Sequence, residues 1–372
     1  MPAYDSLLIY FTSGTGNTYR ACAWVAEEAE KLGIPTRIVP IEEARPPEEV
    51  PQGPEGLVGL AMPTHGFTAP WHMLRFALSL PRRQGTHAFV MPARGMAKVG
   101  SLVIPGFEGT AGYLPALILA LKGYDIRGVK GVDTPVSWTV LHPALSEAAV
   151  ADIQERGRAG VMPFIRTVLG GRRRFGSRLV PLVGALLLPI SLLYLIMGRL
   201  MLAKLMFASE RCNGCGICAR DCPVGAIRMR GNPPRPYWSF SCESCMRCRN
   251  FCPTQAVEAS YSLGAAMTYL GSIPVMATLL GFVAGKWIPK RWFRSQVFRF
   301  IIEYPYKLLS VYLAYWLFMF LVRIPLVNRF FTYTTPTRYY GRYREPGTRS
   351  RDLTTEGTHH RDTEAQREAD SE

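Results

Sequence analysis

Eight of the nine cysteines in this 372-residue chain fall between Cys212 and Cys252, in a pattern that is written twice. CNGCGICARDCPVGAI, from Cys212, recurs as CESCMRCRNFCPTQAV from Cys242. Each copy reads C-x2-C-x2-C-x3-C-P. Soft thiolates select zinc, Cu(I) or iron–sulfur clusters. Zinc sites pair two Cys-x-x-Cys units across a longer gap. Here three thiols at three-residue steps make a wrap tight enough for three corners of a cubane, and the fourth, before proline, projects to the other half. The doubled motif favours iron–sulfur chemistry, with zinc as the alternative. A disulfide scaffold is the wrong reading: the chain is long, and it opens on a strand-like run, Leu7–Phe11, with no export signal. The ninth cysteine, Cys22, falls in a helical stretch and reads as a small buried apolar side chain.

The bacterial-type crossed assignment gives one cluster Cys212, Cys215, Cys218 and Cys252, and the other Cys242, Cys245, Cys248 and Cys222. Over about 55 residues this segment resembles the bacterial dicluster ferredoxins. The resemblance implies a small α+β domain, two 4Fe–4S clusters and one-electron transfer. Ile217, Val224, Ile227 and Val257 would keep the clusters dry, and Gly214 and Gly216 let backbone N–H groups approach sulfur. The second copy departs from this, with Ser244 and Met246 in those places. Arg220, Arg247 and Arg249 lie nearby, either to favour the reduced clusters or as a solvated docking face.

Residues 4–168 alternate strand and helix. Strands are predicted at Leu7–Phe11, Thr36–Val39, Gly56–Met62, His87–Val90 and Ile126–Val132, and helices at Asn17–Leu32, Trp71–Leu80, Leu114–Lys122 and Ser146–Val168. Alternating βα units imply a parallel sheet covered on both faces, with ligands at the carboxyl ends of the strands. Directly after the first strand stands Thr12-Ser13-Gly14-Thr15-Gly16-Asn17-Thr18. It is neither a Walker loop nor a dinucleotide fingerprint. Its hydroxyls and the N–H groups of a helix N-terminus suit a phosphate dianion bound without lysine, the plainer reading being an N-capping turn.

With the five-strand pattern, this segment resembles flavodoxin. The resemblance implies a doubly wound sheet of order 2-1-3-4-5 and FMN. The matching flavin loops are Pro63-Thr64-His65-Gly66-Phe67 and Pro92-Ala93-Arg94-Gly95-Met96, the latter read as irregular through Gly112. Phe67, Trp71, Phe107 and Tyr113 are candidates for ring stacking, each with core packing as its plainer role. A flavodoxin-like unit joined to a dicluster ferredoxin resembles a group of bacterial and archaeal fusion proteins.

The rest of the chain is apolar and basic. Leu179–Gly198 and Leu263–Gly285 are uncharged over 20 and 23 residues, and Leu308–Val322 over 15. An α-helix of 20 residues is about 30 Å long, the thickness of a bilayer core. Between Arg172 and Arg344 there are 24 Lys+Arg against 5 Asp+Glu. Basic charge beside long apolar runs favours lipid over nucleic acid as the partner. If the first run crossed a membrane, the two redox domains would be parted, so it is read as re-entrant or interfacial, a hairpin around Pro189, with both redox domains cytoplasmic at the inner membrane. The resulting division is 1–168 for the FMN domain, 169–207 for a basic linker and membrane segment, 208–260 for the ferredoxin domain, 261–344 for membrane-associated helices and 345–372 for a disordered polar tail. The expected function is electron transfer between FMN and the clusters, with a redox protein as donor or acceptor. The alternatives are an oxidoreductase acting on a quinone and a docking subunit of a redox complex. There is no Ser-His-Asp set or Walker lysine, so hydrolase and kinase readings are poor.

Overall fold

The apolar run after Ser6 becomes the centre of a parallel sheet. In β1 (Ser6–Phe11), Leu7, Ile9 and Phe11 point to one face and Leu8 and Tyr10 to the other, as the two-residue period of a strand requires. Both faces are buried, which explains why this strand reads as continuous apolar sequence. The structure is a computed structural model that describes residues 2–42, 50–177, 179–272, 275, 276, 278, 296–354, 357 and 358. The first core packs β1 against α1 (Asn17–Lys31) and α4 (Glu147–Leu169), through residues such as Ala21, Val25, Val161, Phe164 and Ile165. The second packs it against α2 (Trp71–Ser79) and α3 (Tyr113–Leu121), through Met73, Leu74, Ala77 and Leu119. Cys22 is buried in the first core.

β1 lies between β2 (Thr36–Pro40) and β3 (Gly56–Pro63), and β3 pairs in parallel with β4 (His87–Val99). The fifth predicted strand is two short ones, β6 (Asp125–Val129) and β7 (Val132–Pro135), which pair with successive stretches of β4. β4 is much longer than the sequence suggests. It runs through the stretch read as an irregular loop and folds back on β5 (Leu102–Ile104) as a hairpin. Val99, Leu102 and Ile104 are exposed there, so the hairpin follows backbone pairing, with little apolar burial to announce it.

The cysteine-rich segment pairs β8 (Met206–Ala208) with β11 (Val257–Ala259) and β9 (Ile227–Arg230) with β10 (Arg235–Trp238), all antiparallel. Its internal repeat survives in the backbone. Gly214 and Ser244, Gly216 and Met246, and Gly225 and Gln255 all have positive φ, between 50° and 75°. In the second copy, side-chain-bearing residues therefore hold a left-handed conformation that costs roughly 1–2 kcal/mol apiece.

The first apolar run is one helix, α5 (Leu179–Leu205), with a π-helical turn at Tyr194–Gly198. The hairpin expected around Pro189 does not form. Proline removes one backbone donor and kinks a helix, but the flanking turns keep their own bonds. One side of α5 lies on the α/β domain: Ser191 Oγ donates to Phe67 O (3.1 Å), and a Cβ on Gly66 would sit 2.2 Å from the Tyr194 ring. Near its end Lys204 is buried, with Nζ on Trp238 O and over the Phe240 and Tyr315 rings. The other side, including Leu182, Leu186, Ile190 and Leu193, is exposed. Among the described residues, α5 is long and apolar enough to cross a membrane, and Ile301–Leu321 with Pro325–Thr334 forms an apolar pair bent by 116°. Of the second apolar run, Tyr261–Leu270 is helical, and most of the stretch beyond Ser272 lies outside the described residues.

The polar C-terminal segment is not disordered through its first part. Tyr343, Glu345, Thr348 and Leu353 are buried, and β12 (Gly357–Thr358) adds to β2. Its charges are satisfied by partners elsewhere: Glu345 Oε1 accepts from Arg20 (2.9 Å) and Gln154 (2.7 Å), and Tyr343 OH donates to Asn17 Oδ1 (2.6 Å). Residues 359–372 lie outside the described residues.

Candidate functional site

The loop after β1 bends through Gly16, which has φ 101° and heads α1. Gly16 N–H donates to Ser13 Oγ (3.0 Å), so the hydroxyl closes the turn. The ends of β3 and β7 and the middle of β4 converge on it, and together they enclose a cavity of ≈ 340 Å³. Its walls include Ser13, Gly14, Thr15, Asn17 and Thr18, then Pro63, Thr64, His65, Gly66 and Phe67, then Ala93 and Gly95. Five residues of the predicted loops, Met96 included, do not line it. Thr12 Oγ1 pairs with His72 Nε2 (2.9 Å), and Gly16 turns toward Glu345 and Thr348. Pro92 packs under Gly112, and Arg94 is held by Asp133 (2.6 Å) and Glu108 (3.3 Å). Of the ring-stacking candidates, Phe67 and Phe107 line the cavity, and Trp71 and Tyr113 do not.

Trp138 belongs to no motif of the sequence. It follows β7, where carboxyl-end loops converge in such sheets, and that placement was the available signal. Trp138 and His65 both line the cavity, with ring planes 1° apart and centroids 6.5 Å apart. Burial pushes the His65 imidazole down to about 4, with Glu243 acting the other way, so it is neutral at pH 7. Among the described residues, Thr18 Oγ1, Thr64 Oγ1, His65 Nδ1 and Ser244 Oγ are buried without a hydrogen-bond partner. All four belong to residues that line this one cavity. Buried polar atoms cost about 1–3 kcal/mol each when unpaired, so such a cluster marks a place for a polar ligand. A flat, phosphate-bearing ring system such as FMN fits these walls.

Ser244, Cys245 and Met246 from the second cysteine motif form a further wall. The approach is close: a Cβ on Gly14 would lie 1.8 Å from Cys245 O. Trp138 Nε1 donates to Ser244 O (3.0 Å). Arg247, 1% exposed, donates to Ser13 O (2.6 Å), Asp221 O (3.0 Å) and the Glu42 carboxylate (2.9 Å). Glu243 accepts from Trp71 N (3.2 Å) and Arg199 (3.2 Å). Two of the three arginines near the motifs are thus buried ties. Arg249 is fully buried against Glu258 (2.7 Å), and only Arg220 is largely exposed, paired with Asp221 (2.7 Å).

The thiols line two small cavities. Cys212, Cys215, Cys218 and Cys252 line one, together with Cys248 and Arg247. Cys222, Cys242, Cys245 and Cys248 line the other. Burial, reinforced by neighbouring thiols, pushes Cys218 and Cys242 up to about 12. Among the described residues no three His, Cys, Asp or Glu side chains form a single-ion site, and the thiols ring cavities instead.

Residues 207–228 match the 4Fe–4S binding domain. The match covers the first motif and ends before the second. No curated protein matches the chain. Among solved structures, the chain is similar to flavodoxin 1 from Bacillus cereus at 15% identity, covering 41% of this chain and 94% of that one, with a TM-score of 0.28. A flavodoxin from the domain Archaea matches at 12% identity over 43% of this chain and 99% of its own, TM-score 0.28. Rubredoxin oxygen:oxidoreductase from Desulfovibrio gigas matches at 14% identity over 44% of this chain and 37% of its own, TM-score 0.26.

Proposed function

We propose that this chain is an electron-transfer protein that holds FMN at the carboxyl end of its sheet and two 4Fe–4S clusters in its thiol-lined cavities, and that it works at a membrane surface. One observation carries the reading: Ser244–Met246 wall the FMN-sized cavity and a thiol cavity at once. Two groups bound there would be separated by a single loop. Bound FMN supplies exchange of one or two electrons, where each cluster exchanges one.

The chain's own residues have definite tasks. The backbone N–H groups and hydroxyls of Ser13–Thr18 hold a phosphate dianion at the N-terminus of α1 without a lysine. His65 and Trp138 bound the flat part of the cavity. The unpaired Thr64, His65 and Ser244 atoms offer hydrogen bonds to ring edges. Arg247 puts a buried positive charge at the edge of both thiol cavities, which favours the more negative, reduced clusters.

Membrane association is supported by α5 and the helix Gln296–Leu321. Both leave large apolar side chains exposed, among them Leu186, Ile190, Leu313, Trp316 and Phe320, which suits a binding face. α5 is pinned along the α/β domain by Ser191 and Tyr194, so it is read as lying at the interface with both redox domains on one side, cytoplasmic at the inner membrane. The donor or acceptor is a redox protein.

The test is stepwise anaerobic reduction of the full chain purified from membranes. Flavin bands and the broad cluster absorbance should both bleach, and the protein should float with lipid vesicles. A preparation with zinc and no flavin refutes the function, and protein that stays with the soluble fraction refutes the membrane part.

A further inference from the structure

The three cavities are strung in a fixed order. The FMN-sized cavity and the Cys222/Cys242/Cys245/Cys248 cavity share Ser244, Cys245 and Met246. The two thiol cavities share Arg247 and Cys248. The FMN-sized cavity and the Cys212/Cys215/Cys218/Cys252 cavity share no lining residue. Exposure follows the same order. Cys242 is buried, whereas Cys215 is exposed.

We propose that these cavities make a single-file conduit in which the Cys222/Cys242/Cys245/Cys248 cluster alone takes electrons from the flavin, and the Cys212/Cys215/Cys218/Cys252 cluster is the outlet to an external one-electron acceptor at Cys215. The proposal rests on the function above and adds its direction in space. Electrons balance step by step. With the groups bound, one electron of the reduced flavin would cross the Ser244–Met246 wall to the cluster held by Cys222, Cys242, Cys245 and Cys248, then pass by Cys248 to the cluster at Cys215, and leave on an oxidised iron-containing carrier. A second pass discharges the second electron, and the flavin protons go to solvent.

The geometry also assigns roles to side chains outside the thiols. Trp138 fixes the shared wall, because its Nε1–H holds the Ser244 carbonyl while its ring faces the flavin cavity. Gly14 lets that wall come within contact distance of the phosphate loop. Arg247 lines both thiol cavities, with its guanidinium on Ser13 O of the loop after β1 and on Asp221 O.

The test uses the full chain, loaded with clusters and FMN and kept anaerobic. A ferrous chelator strips iron, and an alkylating reagent added during stripping marks the freed thiols for peptide mapping. The account expects two phases, the first at least tenfold faster. Peptides alkylated in the first phase carry Cys212, Cys215, Cys218 and Cys252. Prior removal of FMN speeds the second phase at least threefold and leaves the first unchanged. Protein stopped after the first phase still bleaches its remaining cluster when the flavin is photoreduced, and it reduces cytochrome c at least tenfold more slowly than intact protein. FMN protection of the Cys212 set, or loss of flavin-driven bleaching once that set is stripped, overturns the order. Release in one phase without regard to FMN overturns it too. Protein that holds no flavin or no sulfide refutes the function itself, a separate result.

Discussion

Replacing Arg247 by Met tests how the two redox segments are held together. The guanidinium is 1% exposed and serves Ser13 O, Asp221 O, Leu353 O and the Glu42 carboxylate. Met fills similar space but leaves the Glu42 carboxyl, 12% exposed, without its cation. Removing one partner of a buried ion pair costs roughly 3–5 kcal/mol. Glu42 already sits above the ordinary carboxylate range because burial outweighs the pull of Arg247, so in the variant it takes up a proton instead of staying charged. That escape caps the loss near the lower end, about 3 kcal/mol at pH 7, and shrinks it as pH falls. Chemical denaturation followed by tryptophan fluorescence measures it. The double variant Arg247→Met/Glu42→Gln should lose less than the sum of the single losses, by about 1–3 kcal/mol. A loss under about 1 kcal/mol for Arg247→Met, or strict additivity with Glu42→Gln, would refute the reasoning.

Gly14→Ala places a methyl against Cys245 O, so the phosphate loop and the cluster loop must part. FMN affinity measured by fluorescence quenching should fall at least tenfold, and unchanged affinity counts against the shared wall. His65 links stability to pH. Its folded value of about 4 lies below the ordinary 6.5, so the unfolded chain binds the proton first. Stability is then full above pH 6.5 and falls toward pH 4, by up to about 3 kcal/mol for this group. A His65→Gln variant should show a flatter profile over that window, and an identical profile contradicts the assignment. Gln255 is exposed with φ 50°, so Gln255→Gly should raise stability by about 1 kcal/mol, seen as a higher midpoint in thermal unfolding. A lower midpoint would mean that the left-handed turn carries no strain.

Local signals explain what was legible in the sequence. β1–β3 and α1–α4 announce themselves because strands buried on both faces must be continuously apolar and helices must carry a stripe. The Thr12–Thr18 loop and the eight cysteines announce themselves because chemistry fixes residue type at close spacing. What was hidden depends on partners distant in the chain. The stretch from Glu345 onward has the composition of a disordered tail, yet Glu345 finds Arg20 and Gln154, and just before it Tyr343 finds Asn17. Arg94 sits in a flavin-loop position but is taken by Asp133 and Glu108. Trp138 belongs to no motif and gains its role only when β7 brings it opposite His65. Arg247 and Arg249 read equally well as charges that favour reduced clusters or as a solvated docking face, and only the fold buries them.

If one chain carries a flavin and two clusters side by side, its cofactor content is fixed. The most direct measurement is the iron, acid-labile sulfide and FMN content of the anaerobically purified full chain. About eight iron, about eight sulfide and about one FMN per chain are expected, two cubanes and one flavin. About four iron with no flavin, or zinc in place of iron, would contradict it.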